Sequence, residues 1–158
     1  DAVERLTAAT DYLNNTSEYR LRNTYMMWCQ GENDGDLGTA GQDYYNKLKS
    51  IVDSLVDKHG ISQCFVVSIG NKNTDEDTIY DNIIDAQIAL CQDSDKCTLV
   101  STQFATMKER GMMYDVYHYV QEAYNIVGKE AGQNAGCWVN TGKEPKIWNY
   151  KEECMYLP

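Results

Sequence analysis

The sequence predicts an α/β fold with a parallel sheet, on three observations. Apolar stripes at helical spacing alternate with short aromatic or β-branched runs, in the order α, β, α, β, α, β, α. Helices of this length between strands imply parallel strands joined by crossovers. The run over residues 63–69 is apolar almost without interruption, the mark of a strand covered on both faces. Three strands make a thin sheet, so the pattern reads as the second half of a doubly wound domain.

Taken in order, residues 1–14 place Ala2, Val3, Leu6, Ala9 or Thr10, and Leu13 on one helical face. Asn14-Asn15-Thr16-Ser17 ends that helix in a polar turn. A strand is expected over residues 24–29, and it stops at the polar loop Gln30-Gly31-Glu32. Between Thr39 and His59, the residues Tyr44, Tyr45, Leu48, Ile51, Val52, Leu55 and Val56 form one stripe. Gly60 closes this helix, with Lys58 and His59 suited to its negative end. After the strand at 63–69, Gly70-Asn71-Lys72-Asn73 breaks the chain. Ile79, Ile83, Ile84, Gln87 and Leu90 trace the next helix, and residues 97–102 the next strand. The last clear helix is expected from about Val116 to Ala131. The aromatic-rich residues 137–158 are expected to lie on the domain of residues 1–136 as an extended tail or hairpin.

A length of 158 residues fits one domain with a real core. A net charge of −10 argues against nucleic acid as a partner, because phosphates need Lys and Arg. It disfavours anionic membrane surfaces too, and no apolar run has the ~18 residues of a spanning helix. The acidic surface leans towards a secreted or cell-surface protein, with a cytoplasmic home left open. The cysteines at 29, 64, 91, 97, 137 and 154 form no Cys-x-x-Cys pair and no zinc pattern. Cys29 and Cys64 read as buried strand residues. The pairs Cys91–Cys97 and Cys137–Cys154 are open to bridging.

Chemistry concentrates in two segments. His118 follows Asp115 by three residues, beside the glycine loop at Gly111. At a helix start that spacing lets a carboxylate hold the imidazole Nδ1, the orienting half of a Ser-His-Asp arrangement. The competing reading has Asp115 capping a helix with His118 merely on its first turn. At Gln30-Gly31-Glu32, a side-chain amide and a glycine N–H can both point at a developing oxyanion. Glu32 offers a second orienting carboxylate; the alternative is a polar turn with a capping acid. Glu32, Asp34 and Asp36 alternate as calcium ligands do, but Leu37 stands where such a loop needs Gly and Asp43 where it needs Glu. No metal and no cofactor are therefore expected. His59 reads as a helix-terminal residue.

Together these segments resemble a known family. Trp28-Cys29-Gln30-Gly31-Glu32-Asn33-Asp34-Gly35 is similar to the Trp-x-Gln-Gly-Glu-Ser-Asp block of the sialate O-acetylesterase-like carbohydrate esterases, in the SGNH (GDSL-like) hydrolase superfamily. Asp115-Val116-Tyr117-His118, with Tyr124, Gly128 and Gly132, resembles that family's closing Asp-x-x-His block. Asp85-Ala86-Gln87 resembles a segment between them. The match covers about residues 1–136, with Asn33 in place of the family's Ser.

The resemblance implies a three-layer flavodoxin-like fold and deacetylation of an O-acetylated glycan. It makes His118 the general base and Asp115 its orienting acid. Gln30 and Gly31 become oxyanion donors, Glu32 a structuring or orienting acid, and Asp34 a substrate-binding residue. The family's nucleophile, a Ser in a Gly-x-Ser-like turn well before the Gln-Gly-Glu block, has no counterpart. Ser17, Ser50, Ser54, Ser62, Ser68, Ser94 and Ser101 all lie elsewhere. The expectation is an esterase whose Ser comes from an N-terminal segment or a partner chain. The alternative is a non-catalytic glycan-binding or interaction module derived from such an enzyme.

Overall fold

The structure is a computed structural model that describes residues 2–16, 18–75, 79–150 and 154–156. Its centre is a three-stranded sheet of β1 (Thr24–Trp28), β2 (Ile61–Val67) and β3 (Cys97–Ser101), in that spatial order and parallel throughout. The α/β class and the parallel sheet are as expected, and the layout is compatible with a flavodoxin-like arrangement. Helix α1 (Ala2–Asn14) precedes β1, and its half-buried residues Val3, Leu6, Thr10 and Leu13 keep the predicted spacing.

The two crossovers pack on one face. The helices α3 (Gly41–His59) and α4 (Asp81–Asp93) bury Tyr44, Leu48, Val52, Ile83, Ile84 and Leu90 against Val66 and Leu99. A short helix, α2 (Glu32–Asp36), links β1 to α3. The other face is closed by α5 (Gln121–Thr141), which sets Ala123, Val127, Ala131 and Ala135 on Phe65, Val67 and Val100. Each strand therefore sends alternate residues into two separate cores, which explains the unbroken apolar run of β2.

The largest departures from the sequence reading lie in the last helix and the tail. The last helix begins at Gln121, not Val116, because residues 113–119 close into a turn through a bridge between Met113 and Tyr119. It then runs past Gly132 to Thr141, and a left-handed Gly142 at φ 66° ends it. Residues 137–141 are thus helix, and the tail proper is an antiparallel hairpin of β4 (Ile147–Asn149) and β5 (Cys154–Tyr156).

Neither bridge that the sequence leaves open is formed. Cys91 and Cys97 are free thiols buried in one core with Cys64, behaving as small hydrophobes. Cys137, exposed on α5, is free as well. Cys29 departs from the buried-strand reading: it lies just past β1 and reaches the surface.

The sheet's two edges are unlike. Beside β3 the hairpin is fastened by Thr102, whose hydroxyl donates to Trp148 O at 2.6 Å and accepts from Tyr150 N at 3.1 Å. Along β1, no strand among the described residues pairs with the outer edge, and Met27 is 52% exposed there. An apolar edge of this kind is a template for a further strand.

Candidate active site

At the carboxyl ends of the strands the chain makes its closest turns. Gly31 is buried where β1 ends, and a Cβ there would meet Ile83 at 2.8 Å and Ile69 at 3.0 Å. Gly70, after β2, admits no side chain, because a Cβ would lie 2.3 Å from Phe104 O and 2.9 Å from the Tyr119 hydroxyl. Both glycines let the strand ends press against neighbouring elements.

Gln87 joins these ends. It is fully buried on α4, donates to Gln30 O at 2.8 Å and to the Tyr44 hydroxyl at 3.0 Å, and accepts from Ile69 N at 3.1 Å. Tyr44 in turn donates to Gln30 O at 2.6 Å and accepts from Trp28 Nε1 at 3.1 Å. One buried network thus sets β1, β2, α3 and α4 relative to one another. Periodicity places Gln87 on the inward face of its helix, and the family likeness includes it, but neither marks a buried glutamine as a hub.

The loop bearing His118 is tightly specified. Asp115 Oδ1 accepts from the backbone N–H groups of Tyr117 and His118, both at 2.7 Å. Tyr114 N donates to His118 O at 2.6 Å, and Val120 N to Met112 O at 3.0 Å. The loop after β2 pins it from outside, as Asn73 N donates to Val116 O at 2.9 Å. Within this turn the imidazole Nδ1 lies 2.9 and 3.1 Å from the two Asp115 oxygens. Nδ1–H therefore donates to the carboxylate, and Nε2 is left as the basic nitrogen. Asp115 does not cap a helix, which begins only at Gln121; it closes a turn and holds the imidazole Nδ1 at once.

The His118 ring hydrogen bond and the two backbone N–H groups hold the Asp115 carboxyl down to about 2. A depressed carboxyl contributes stability above its unfolded value, lost as pH falls through the folded one. The turn is expected to stay intact at pH 5 and to loosen between about pH 4 and pH 2. The Tyr117 and His118 amide resonances are the measurement; if they stay fixed to pH 2, the carboxylate is not what holds the turn.

A cavity of about 320 Å³ opens beside this dyad, lined by Cys29, Glu32, Phe104, Tyr117, His118, Tyr119 and Tyr124. Phe104 and Tyr119 stack at 4.4 Å to form a buried floor, and Tyr124 meets Tyr119 edge-on. Glu32 reaches back so that one oxygen accepts from Gly31 N at 3.0 Å. The Cys29 thiol meets solvent, yet its dense surroundings and then Glu32 push it up to about 11. Burial, with Glu32 and Cys29 adding to it, also raises the Tyr119 phenol.

Of the residues expected at the site, His118, Asp115 and Glu32 gather here. Gln30 does not. Its amide donates to Asp34 Oδ2 at 3.0 Å, and both residues line a separate cavity of about 120 Å³ with Trp28, Tyr44 and Ile51. Asp34 also accepts from the Thr39 hydroxyl at 3.1 Å, so it shapes the loop instead of facing the His118 cavity. The reason is local: α2 brings position 34 back over position 30. Gly31 N–H is engaged by Glu32, and neither Gln30 nor Gly31 lines the His118 cavity. Cys29, Tyr117 and Tyr124 were missed, although Cys29 adjoins the Gln-Gly-Glu block and Tyr117 adjoins His118.

No serine among the described residues lines the cavity. Ser68 and Ser101 are buried, the latter donating to Glu130; Ser17 lies outside the described residues. Nor does any group of three or more His, Cys, Asp or Glu among the described residues suit a metal ion. Among them, no helix is long and apolar enough to cross a membrane. Compared with protein-family models, curated proteins and solved structures, the chain matches none.

Proposed function

We propose that this chain is the base-bearing half of a serine ester hydrolase that removes O-acetyl groups from carbohydrates. The observation that carries the reading is the His118–Asp115 pair, with Nδ1 2.9 Å from the carboxylate, beside a cavity at the carboxyl ends of a parallel sheet. Ligands of open α/β sheets bind at that edge. The dyad is an orienting and proton-accepting device that lacks only the hydroxyl it would activate.

The open edge of β1 is where that hydroxyl enters. A strand added in parallel would lie about 4.8 Å from β1. Its carboxyl end would then arrive beside Cys29, at the rim of the His118 cavity. Exposed Met27 on β1 and the small cavity walled by Trp28 and Ile51 would receive apolar side chains of the added segment. A Ser in the turn after such a strand, supplied by an upstream segment or a partner chain, provides the nucleophile. Its hydroxyl proton passes to His118 Nε2 as oxygen attacks the acetyl carbonyl. His118 then protonates the leaving sugar oxygen, and finally draws a proton from the water that hydrolyses acetyl-Ser.

Cys29 is not read as the nucleophile. A catalytic thiol is activated by a lowered pKa, and the Cys29 thiol is held at about 11. A glycan-binding module is the second reading, and one observation favours it: the cavity has aromatic walls and, among the described residues, neither Ser nor Thr.

The chain is expected to leave p-nitrophenyl acetate unhydrolysed by itself. Turnover is expected when it is produced with the upstream coding sequence or a neighbouring frame that carries a strand ending in Gly-x-Ser. His118→Ala should abolish the restored turnover. Turnover that survives His118→Ala would remove the dyad from the mechanism.

A further inference from the structure

We propose that the His118 cavity binds a neutral sugar ring and discriminates against sugars that carry a carboxylate. The choice of an acetylated sugar as ligand rests on the esterase reading; the preference for a neutral one rests on the cavity.

The walls suit a pyranose. Phe104 and Tyr119 close the floor, while Tyr117 and Tyr124 stand at the mouth, 51% and 42% exposed. Aromatic faces are electron-rich, and they attract the polarised C–H bonds on one side of a sugar ring. Tyr117 is held in place by Lys72, whose Nζ sits 5.8 Å from its ring centroid. Glu32 supplies a carboxylate in the same cavity, which accepts hydroxyl hydrogens. A volume of about 320 Å³ lies at the small end of ligand pockets, room for a single ring unit.

The charges decide the class of sugar. Among the described residues, no Lys or Arg lines the cavity. Lys72, which packs on the Tyr117 ring and is not among the lining residues, is paired with Asp36 at 2.6 Å, so its charge is largely offset. Tyr80 donates to the same Asp36 oxygen at 2.9 Å, which completes a closed cluster behind the wall. A carboxylate entering the cavity would meet Glu32 at close range with no bidentate arginine or lysine to receive it. The net charge of −10 adds a repulsive field over longer distances.

The chain alone can be tested, since binding needs no nucleophile. The probes are an O-acetylated methyl sialoside and the same compound with its carboxylate converted to the methyl ester, which differ in charge at one group. The readout is the His118 ring resonance during titration. The ester is expected to bind at least tenfold more tightly than the free acid, with the gap shrinking in 1 M salt. Glu32→Gln should narrow the gap, and Tyr117→Ala and Tyr124→Ala should each weaken the ester about tenfold. Both tyrosines are exposed, and circular dichroism verifies that the variants fold.

Equal affinity for acid and ester overturns the inference, as does indifference to both tyrosine variants or the absence of any His118 response. Failure of the two proposals is distinguishable. Sugar binding without turnover by the Ser-complemented protein refutes the esterase reading alone. Turnover of p-nitrophenyl acetate without sugar binding refutes this inference alone.

Discussion

Asp115→Asn is expected to lower kcat of the Ser-complemented protein by roughly 10³–10⁴-fold, with KM little changed. The asparagine carbonyl oxygen can keep the two 2.7 Å bonds from Tyr117 N and His118 N, so the turn survives. The amide nitrogen then faces the imidazole where the second carboxylate oxygen stood, 2.9 Å from Nδ1. A donor there forces the proton from Nδ1 to Nε2, and an Nε2–H cannot take the proton of a serine hydroxyl. The positive charge that develops on the ring also loses its counter-charge. In the chain alone the His118 and Asp115 side chains are 69% and 43% exposed, so the full effect needs the site covered by the added segment. The measurement is steady-state kinetics beside an unchanged amide spectrum for residues 113–119. Retention of activity within tenfold of wild type would sink the orienting role.

The parts of the molecule that were legible are those fixed by local pattern. Val3, Leu6, Thr10 and Leu13, or Tyr44, Leu48 and Val52, recur at helical spacing because one face must be buried, and the structure buries that face. The His118 turn was misread as helix because Val116, Tyr117, Val120 and Ala123 mimic the period. Only Tyr119, Val120 and Ala123 pack inward, and Asp115 spends its carboxylate closing the turn before Gln121 begins the helix. The sequence reading ends that helix at Gly132, yet Gly132 and Gly136 both lie inside it. No neighbouring atom lies within 4 Å of where their Cβ would be, so the interior of the helix tolerates them.

The site was half legible for a similar reason. Asp115 and His118 meet through a contact three residues long, which spacing reveals. Where Gln30 points is decided by Asp34, and that depends on a five-residue helix no periodicity announces. Cys29 was read inward because the run 24–29 is apolar, yet β1 ends at Trp28 and the next residue turns to the cavity. The open edge of β1 is a property of the sheet, and a three-strand count in the sequence only hints at it.

Gln87→Leu is expected to cost about 2–4 kcal/mol of folding stability, the larger share from one unsatisfied buried donor. Leucine nearly preserves volume, so cavity formation contributes little. Ile69 N–H, on a fully buried residue, loses its acceptor at 3.1 Å. Gln30 O is less affected, because Tyr44 still donates to it at 2.6 Å. For a chain of this size the loss corresponds to a fall in melting temperature of roughly 5–15 °C. Gln87→Glu separates the two halves of the hub: it keeps an acceptor for Ile69 N but turns a buried donor into a charge facing Gln30 O. That variant should fare worse than leucine at neutral pH and recover as the pH is lowered, because protonation restores a donor. Thermal denaturation at pH 7 and pH 5 reads both effects. A loss below 1 kcal/mol for Gln87→Leu would mean that the apolar packing around Gly31, Ile69 and Ile83 alone holds the strand ends beside the His118 cavity.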